Sequence, residues 1–597
     1  MKSVESAPAV SAEYTARLAS ERAKQSAAER WHKKLGYIKL AVVALALVVL
    51  VLGLKARITS VFWLIVPVAA LAVLEKVHER VLASLKKCSR SITFYERGLA
   101  RLEDRWMGTG DSGESFLDAT HPYSRDLDLF GAGSLYELMC VARTSPGKNT
   151  LAKWLLAPAT VPEIAKRHEA VRELAPRLDF REGIAVSGED IRSRARTEAL
   201  LAWAEAPAVL NPKPAQTAAF VLAALWLVSL LAWALWGAWE ITLAVSFMNR
   251  IFYSRFRARS QKIIEAEWFV REFALLPVIL TRMERECFAS EKLRGLQEQL
   301  KQHGLSPAAC IGRLRKSVEA LESRRSLLIH VTDAFILWTT QLSFAVEAWR
   351  QEFGPAFRVW LSAVGEMEAL NALANYCHEH PEDSFPEFVA DRTGFEANAL
   401  AHPLLPRARA VRNHVGFGEL LRVMIVSGPN MSGKSTFVRA IGLNAVLAQC
   451  GAPVCATRLR LSPLQVAASI CILDSLQGGV SRFYAEITRL KLIDELAKRA
   501  PVLFLLDELL SGTNSEDRRV GAEAFVKSMV VKGAIGLVTT HDLALTRMAN
   551  ELPAPAANFH FEDRIESGQL RFDYQLATGI ARSSNALKLM RSIGLEV

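Results

Sequence analysis

The chain lacks the cysteine pattern of a zinc site. Its eight cysteines are scattered over 597 residues and none forms a CxxC pair. The closest two, Cys450 and Cys455, have no second pair to complete a metal site. This usage indicates reduced, structural thiols in a cytosolic compartment. A sustained heptad repeat is also missing from the charged helical stretch 261–396, which excludes a coiled coil there.

An excess of acidic residues is missing as well. The formal net charge is +11 and the sequence pI is about 9.2. This balance favours anionic partners, either nucleic acid or the cytoplasmic face of a membrane. The alternative is that basic loops flank membrane helices and the remaining Lys and Arg are solvated. Composition leaves both interpretations open.

The sequence does contain a phosphate-binding loop. An apolar run, residues 421–426, predicts a buried strand, and FVRAIGLNAVLA after the loop predicts a helix. Between them, glycines allow backbone N–H groups to turn around phosphate oxygens, a lysine supplies a positive charge, and a hydroxyl is a ligand for Mg²⁺. We therefore expect ATP and Mg²⁺ as cofactors. The predicted nucleotide-binding residues are Gly428, Pro429, Asn430, Met431, Ser432, Gly433, Lys434, Ser435 and Thr436.

Two further strands carry candidate catalytic groups. VLFLLDE is an apolar strand that ends in Asp507 and Glu508. At this position Asp507, together with Ser435, would hold Mg²⁺, and Glu508 would orient and polarise the attacking water. GLVTTHD predicts a third strand, which ends in His541. We expect His541 to contact the γ-phosphate.

Two apolar runs near the N-terminus predict a transmembrane hairpin. Residues 37–54 match one bilayer thickness as a helix, and residues 58–74 form the return run. Two buried core helices are the alternative. The first 36 residues are polar and predict a surface helix or a disordered arm. Lys33 and Lys34 before the hairpin, and five basic residues between 76 and 90 after it, suit the cytoplasm. Lys55 and Arg57 in the turn argue mildly the other way.

A second hairpin is predicted at 217–253. Residues 217–235 are apolar enough to span, whereas the return run 241–253 is short and contains Asn249 and Arg250. Parity supports the return run, because a cytoplasmic nucleotide site and a cytoplasmic N-terminus require an even number of crossings. The prediction is a multi-pass protein of the inner (plasma) membrane, in contact with lipid, whose ATPase domain lies in the cytoplasm.

The C-terminal motifs together resemble the ATPase domain of the MutS family of DNA mismatch repair proteins. The matching segments are GPNMSGKST, DELLSGTNSEDR from Asp507 and TTHD, with HPLL at the entry to the domain. GAPVCA is similar to the family's G-x-x-V-P-A segment with Pro and Val exchanged. Upstream, residues 126–174 resemble the family's core and lever domain through LDLF, SLYELM, RTSPGK and LAKWLLAP.

The resemblance implies further site residues. Ser481, in GGVSRFYAEI, matches the serine that in the family reaches across a dimer to the partner's γ-phosphate, and Glu486 lies near the family's acid. A homodimer through the ATPase domain is therefore expected. Asn413 falls near the family's adenine-binding Asn, although His414 replaces the Asp that flanks it in the family.

The expected fold class is multi-domain: transmembrane helices, an all-α core/lever domain and a C-terminal α/β P-loop ATPase domain of the ABC type. The expected boundaries are a polar arm at 1–36, a transmembrane hairpin and basic helix at 37–105, the helical core/lever domain at 106–396 with a membrane hairpin at 217–253, and the ATPase domain at 397–597.

Several functions fit this organisation. The first is a membrane-anchored MutS-like ATPase that couples ATP turnover to movement of the lever, with DNA as an open partner that would be bound weakly and without sequence specificity. The second is a nucleotide-switched membrane scaffold without a DNA role. An ABC-type transporter is disfavoured, because no LSGGQ precedes the strand ending at Asp507. Phe94-Tyr95-Glu96 is similar to the family's mismatch-probing F-x-E, but no mismatch-reading domain surrounds it, so mismatch recognition is not expected.

Overall fold

The computed structural model describes residues 7–54, 61–186, 194–207, 212–264, 276–301, 304–322, 327–390, 392–429, 432–470, 482–511, 513–566 and 569–580. The chain divides into two compact units. The first comprises residues 1–140, 154–168 and 373–597, and the second comprises residues 141–153 and 169–372.

The first unit begins with two long antiparallel helices. Helix α1 spans Ala7–Leu54, and α2 spans Ile65–Leu102 after a 3₁₀ turn at Val61–Leu64. The predicted polar arm is therefore helical from Ala7 onward and continuous with the first apolar run. Residues 55–60, which include the start of the second apolar run, lie outside the described part of the chain.

Contacts between the two helices fix their register. Ring nitrogens of His32 and His78 lie 2.8 Å apart, and Lys39 Nζ lies 2.5 Å from Glu75 Oε2. In this register residue 37, where the apolar run of α1 starts, lies close to the level of residue 74, where the apolar run of α2 ends. The polar half of α1 therefore ends at about the same level as the polar half of α2 begins.

The polar end of the hairpin is held by a buried cluster. The Tyr14 ring packs against Phe94 and Tyr95, and a Cβ added to Gly98 would lie only 2.5 Å from the Tyr14 ring. The close approach of α1 to α2 therefore requires the glycine. Phe94 is buried in this cluster, with 8% of its surface exposed, so its ring is not available to stack on a base unless the hairpin opens.

The second unit is helical. Its core contains large aromatic side chains, including Trp360, Phe357 and Phe344, all nearly inaccessible to solvent. Helices α3 to α14 are Leu135–Met139, Ser145–Leu156, Val161–Leu174, Leu178–Ala185, Arg194–Glu205, Pro212–Trp236, Trp239–Ile264, Leu276–Arg285, Glu291–Lys301, Pro307–Glu322, Leu327–Ile336 and Trp338–Glu379. Helix α3 belongs to the first unit, and α4, α5 and α14 each contribute residues to both units.

The RTSPGK segment forms the start of α4 against α14. The Glu368 carboxylate accepts hydrogen bonds from the backbone N–H groups of Arg143 (2.9 Å) and Thr144 (3.2 Å), and from the Thr144 hydroxyl. These hydrogen bonds favour the ionised form of Glu368, whereas burial of the carboxyl group opposes it and has the larger effect on its pKa. A Cβ on Gly147 would lie 2.7 Å from Glu368 Cβ, so the glycine permits this close packing.

Helices α8 and α9 form the second predicted hairpin. They are joined at Gly237, which has the left-handed φ of 71° that favours glycine. Asn249, a polar residue within the return run, points into the unit, where its amide donates to Leu222 O (3.3 Å) and Phe335 O (2.6 Å). The amide nitrogen of this buried side chain is therefore satisfied by carbonyl oxygens.

Two of the described helices are long and apolar enough to cross a membrane. They are the stretches Pro8–Leu52 and Pro214–Trp236. Only 6% and 17% of their most apolar windows are buried, so neither stretch is a core helix of the described fold. The return runs in α2 and α9 do not meet the same criterion within the described residues.

The C-terminal part of the first unit is built on a six-stranded sheet. Its strands are β4 Val423–Ser427, β6 Gln465–Ser469, β7 Val502–Leu506, β8 Ile535–Thr540, β9 Ala556–His560 and β12 Ala577–Thr578. Their order is β12-β9-β4-β8-β7-β6, parallel except for β12. Strands β4, β7 and β8 are buried along their whole length, as their apolar sequences predict.

Three helices and a 3₁₀ helix accompany this sheet. They are α15 Lys434–Cys450, α16 Arg482–Ala497 and α17 Ser515–Val531, followed by the 3₁₀ helix at Leu543–Asn550. The alternation of parallel strands with helices confirms the α/β architecture expected for this part of the chain.

A second sheet is formed by β1 Glu387–Phe388, β2 Phe395–Leu400, β3 Asn413–Phe417 and β5 Arg458–Leu461, in the order β1-β5-β2-β3. A separate hairpin pairs β10 Asp563–Glu566 with β11 Gln569–Phe572. The sequence predicts helix up to residue 396, but the segment 387–396 contains residues of β1 and β2, which pair with β5. The expected domain start at 397 falls inside β2.

Candidate functional site

The phosphate-binding loop leaves β4 and enters α15 through two glycines. Gly428 has φ of 154° and Gly433 has φ of 93°, in the region that L side chains rarely adopt. A Cβ on Gly428 would lie 3.0 Å from Phe561 O, and one on Gly433 would lie 2.9 Å from the Tyr574 ring. Helix α15 begins at Lys434, as the sequence predicts, so its N-terminal N–H groups face the loop.

Lys434 supplies a largely buried cation inside the loop. Its Nζ donates to Gly428 O (2.8 Å) and Pro429 O (2.9 Å). Burial lowers the pKa of Lys434, and the carboxylates of Glu508 and Asp507 act in the opposite direction. Carbonyl oxygens carry no full charge, so a phosphate oxygen is a stronger partner for this ammonium group.

The two predicted acids lie just beyond β7, beside the end of β8. The Thr539 hydroxyl donates to Asp507 Oδ1 and accepts from Glu508 N at 3.1 Å. Glu508 has φ of 49° and Leu510 has φ of 56°, both strained for a residue with a side chain. Glu486 holds this turn, because its Oε1 accepts from Leu510 N at 2.6 Å.

His541 follows β8 and is adjacent to Glu508. Its Nδ1 lies 3.6 Å from Glu508 Oε1, which is too long for a hydrogen bond but close enough for both groups to face one ligand. About half of the His541 side chain is exposed, so a ligand can reach it. The structure thus brings together the predicted lysine, acids and histidine at the carboxyl ends of neighbouring strands.

A cavity of about 490 Å³ adjoins these groups. One end is lined by Lys434, Ser435, Thr436 and Glu508, and the other by residues of the segment 400–413. Apolar side chains at that second end suit a flat, weakly polar ring. They are Leu400, Leu405 and Val411.

Asn413 lines the cavity, but its amide is engaged with the chain. Its Nδ2 donates to Tyr574 O (3.0 Å) and its Oδ1 accepts from Leu576 N (2.8 Å). The adenine contact implied for Asn413 is therefore not made by a free side chain in this structure. Tyr574 also lines the cavity and is missed by sequence reasoning, because no local motif marks it.

The remaining predicted residues fall into two groups. Pro429, Ser432, Ser435 and Thr436 lie in the described loop and helix. Asn430, Met431 and Ser481 lie outside the described residues, so the dimer contact implied for Ser481 stays a prediction.

The residues present fit a nucleotide with Mg²⁺. The cradle formed at Gly428 and Gly433 leaves no room for side chains, and Lys434 offers a cation to phosphate. Ser432 Oγ is buried and has no hydrogen-bond partner among the described residues. Ser435 and Asp507 provide the hydroxyl and carboxylate oxygens that Mg²⁺ prefers.

This fold and this site define the P-loop class of nucleotide-binding domains. In the parallel sheet, strand β4 is followed by the glycine loop, the sequence GKS and a helix. Strand β7 is followed by the two acids. Comparison with known proteins specifies the family. Residues 424–596 match the family model for MutS domain V, so this part of the chain is similar to the MutS family.

Curated relatives share the same similarity over part of their length. The Endonuclease MutS2 of Thermus thermophilus is 32% identical over 210 residues, which are 34% of this chain and 26% of the relative. The DNA mismatch repair protein MutS of Natronomonas pharaonis is 31% identical over 237 residues, 39% of this chain and 27% of the relative. The DNA mismatch repair protein MutS 2 of Haloarcula marismortui is 38% identical over 173 residues, 29% of this chain and 18% of the relative. The matches therefore cover roughly a quarter of these proteins.

Proposed function

We propose that this protein is a membrane-anchored MutS-like ATPase that binds and hydrolyses ATP in a site completed by a second copy of the chain. The observation that carries the enzymatic part is the convergence of Lys434, Asp507, Glu508 and His541 at one site beside the cavity. A buried cation, two carboxylates and a glycine cradle together suit an anionic ligand that carries a metal ion.

Each group has a separate role. Lys434 exchanges its carbonyl partners for phosphate oxygens, and Glu508 orients and polarises the attacking water. Ser435 and Asp507 would hold Mg²⁺, which supplies positive charge to the phosphate oxygens when it is bound. His541, beside Glu508, contacts the terminal phosphate. The strained turn at Glu508 fixes its carboxylate against the cavity.

The dimer rests on the resemblance of GGVSRFYAEI to the family's segment. In this proposal Ser481 of one copy completes the site of the other, and closure of the pair on ATP moves the helical lever. Glu486, which lies in the same segment, holds the turn that carries Glu508. Dimer formation is thereby linked to the catalytic acid.

Membrane anchoring is supported by the register of α1 and α2. The apolar portion of α1 begins close to the level at which that of α2 ends, and large side chains there are exposed, among them Leu40, Leu47 and Val68. Such exposure is unfavourable in water by about 25 cal/mol per Å² and is removed in lipid.

The flanks of these helices and the second hairpin support the same proposal. Exposed Lys33, Lys34, Lys76 and Arg80 lie just below the apolar level of α1 and α2, as expected for a cytoplasmic flank. Helix α8 exposes apolar side chains along its length, which suits a second anchor. They are Phe220, Leu227 and Leu231.

DNA is the proposed macromolecular partner. Two of the relatives are DNA mismatch repair proteins by name, and this similarity is the reason to propose DNA as a partner. Because Phe94 is buried against Tyr14, the chain offers no exposed Phe-x-Glu probe there. We therefore expect weak, sequence-independent binding through phosphate contacts, falling steeply with salt, and little discrimination of mismatches. A nucleotide-switched scaffold without a DNA role is the alternative.

One experiment separates these two functions. The ATPase rate of the full chain in detergent is measured alone and with duplex, mismatched and branched DNA, at low and at physiological salt. Stimulation by all DNA forms at low salt supports a DNA role, whereas the absence of both binding and stimulation at low salt favours the scaffold. The Phe94→Ala variant should leave DNA affinity unchanged.

A further inference from the structure

A single peptide unit joins Asp126 to the acid that follows β7. Asp126 Oδ1 accepts a hydrogen bond of 2.7 Å from Ile470 N. The carbonyl of the same peptide unit, Ser469 O, accepts a hydrogen bond of 2.9 Å from Asp507 N. Asp126 is buried, with 1% of its surface exposed. A charged acceptor on one side of a peptide polarises it and strengthens the hydrogen bond on the other side.

The segment around Asp126 is also fixed to the two helices that flank this part of the sheet. Arg439 of α15, the helix that starts at the phosphate-binding loop, donates from Nε to Asp126 O at 3.0 Å. Arg489 of α16 donates to Ala119 O at 3.0 Å, and its Nη2 lies 3.7 Å from Asp126 Oδ2. Asp126 therefore sits where the loop helix, the edge strand β6 and α16 meet.

Close packing supports the same junction. Leu127, next in the chain, is fully buried. A Cβ on Gly442 of α15 would lie 2.6 Å from Leu127 and 2.8 Å from Leu505 of β7, so the glycine is needed for this contact. Ala468 N also donates to Pro122 O at 2.9 Å, which extends the edge of the sheet onto the segment.

We propose that Asp126 is a positioning residue for Asp507. It fixes the peptide that holds the Asp507 backbone, and thereby sets the Asp507 carboxylate for the divalent metal that accompanies the nucleotide. This inference rests on the proposed ATP site. Removal of a group that hydrogen-bonds to a metal ligand and orients it typically lowers metal affinity or activity by about 10- to 100-fold.

The test measures metal binding without turnover. Mn²⁺ replaces Mg²⁺, and its binding to the full chain in detergent is followed by electron paramagnetic resonance with a non-hydrolysable ATP analogue present. Asp126→Ala should weaken Mn²⁺ binding by about 10-fold or more, because Ile470 N loses its acceptor. Asp126→Asn should weaken it less, since the amide oxygen still accepts from Ile470 N.

Asp128→Ala is the matched control. Asp128 lies in the same segment, and its Oδ2 is 3.3 Å from Arg439 Nη1. Its side chain is half exposed. The hydrogen bond from Ile470 N goes to Asp126 and not to Asp128. Its Mn²⁺ affinity should equal that of the wild type. An equal loss in Asp126→Ala and Asp128→Ala would show a general role in holding the segment and overturn the proposal.

The remaining outcomes are also decisive. Unchanged Mn²⁺ affinity in a folded Asp126→Ala protein overturns the positioning role. If that variant does not fold, Asp126→Asn decides, and a loss of at least about 2-fold relative to Asp128→Ala is required. Failure of the ATP site itself is distinguishable, because the wild-type protein would then bind no Mn²⁺ that depends on the analogue.

Discussion

Arg101 and Glu379 form a two-pronged ion pair that is almost inaccessible to solvent. Arg101 Nε lies 2.6 Å from Glu379 Oε2, and Nη2 lies 2.7 Å from Oε1. Tyr14 and Asn375 donate to the same carboxylate at 3.3 and 2.8 Å. The pair therefore connects the C-terminal end of α2 to the C-terminal end of α14.

Removal of the arginine should strongly destabilise this junction. Arg101→Ala leaves the Glu379 charge buried without its partner, which typically costs about 3–5 kcal/mol. Thermal unfolding in detergent should show a lower transition temperature. Arg22→Ala, which breaks the exposed Arg22–Glu96 pair, should cost under about 1 kcal/mol.

A double variant separates loss of the pair from loss of one partner. Arg101→Met combined with Glu379→Leu removes both charges and keeps apolar volume, so it should recover much of the stability lost in Arg101→Ala. Equal destabilisation by Arg101→Ala and Arg22→Ala would contradict this account.

Gly536 is predicted to be indispensable in β8. A Cβ at this position would lie 2.1 Å from Phe504 O, a backbone atom of the neighbouring strand that cannot move without disturbing the sheet. Gly536→Ala should therefore destabilise the ATPase part by about 1–3 kcal/mol or more. Gly416→Ala in β3, where nothing lies within 4 Å, should be neutral or slightly stabilising. Protease resistance of the two variants compares them directly, and identical resistance would refute the packing argument.

Stability should depend on pH through Glu368. Burial raises the pKa of Glu368 to about 6, although hydrogen bonds from Thr144 and Arg143 act to lower it. The folded state then holds a proton that the unfolded state has lost between about pH 4.5 and 6. Stability consequently falls as pH rises through this window, by about 2 kcal/mol for this group.

The Glu368→Gln variant should lack this component. Thermal unfolding of the wild type and the variant between about pH 4 and 7.5 should therefore show the wild type losing stability relative to the variant as pH rises. Glu298→Gln, an exposed change on α11, is the control for general effects of charge removal. Parallel curves for wild type and Glu368→Gln would show that the group does not titrate in this range.

Topology can be tested with cysteines at exposed positions. Lys24 of α1 and Val531 of α17 are exposed and lie in the parts of the chain that the proposal places in the cytoplasm. Cysteines there should resist a membrane-impermeant thiol reagent in intact cells and react after permeabilisation. A cysteine at Trp236, the exposed end of α8, should react in intact cells. If Lys24→Cys and Val531→Cys differ in labelling, the number of crossings is odd and residues 241–253 do not span.

Much of the catalytic region could be predicted because its chemistry is local. Each of three apolar strands is followed directly by a candidate site residue, so a short run of sequence is enough to predict it. These residues are Gly428, Asp507 and His541. The parallel sheet then brings the strand ends together whatever the intervening chain does. The start of α15 at Lys434 and the grouping of Lys434 with the two acids follow from this.

Long-range contacts were beyond prediction. Asn413 falls near the adenine-binding Asn of the family, yet its side chain forms hydrogen bonds to Tyr574 and Leu576, far downstream in the chain. The roles of Asp126 and Tyr574 depend on partners in distant segments and on no local pattern. The expectation of helix up to residue 396 is wrong because β1 and β2 are short and are stabilised by pairing with β5. Phe94 shows the opposite case, a local motif whose tertiary burial removes the function it suggests.

The central claim is hydrolysis of ATP at the site formed by Lys434 and Glu508, and ATP binding and turnover by Glu508→Gln test it most directly. This variant should bind ATP with nearly wild-type affinity while its turnover falls by about 100-fold or more, because a group that acts on the attacking water is lost. Lys434→Ala should instead weaken binding, and Glu419→Gln, an exposed change in the same unit, should alter neither. Turnover by Glu508→Gln at the wild-type rate would contradict the assignment of this site.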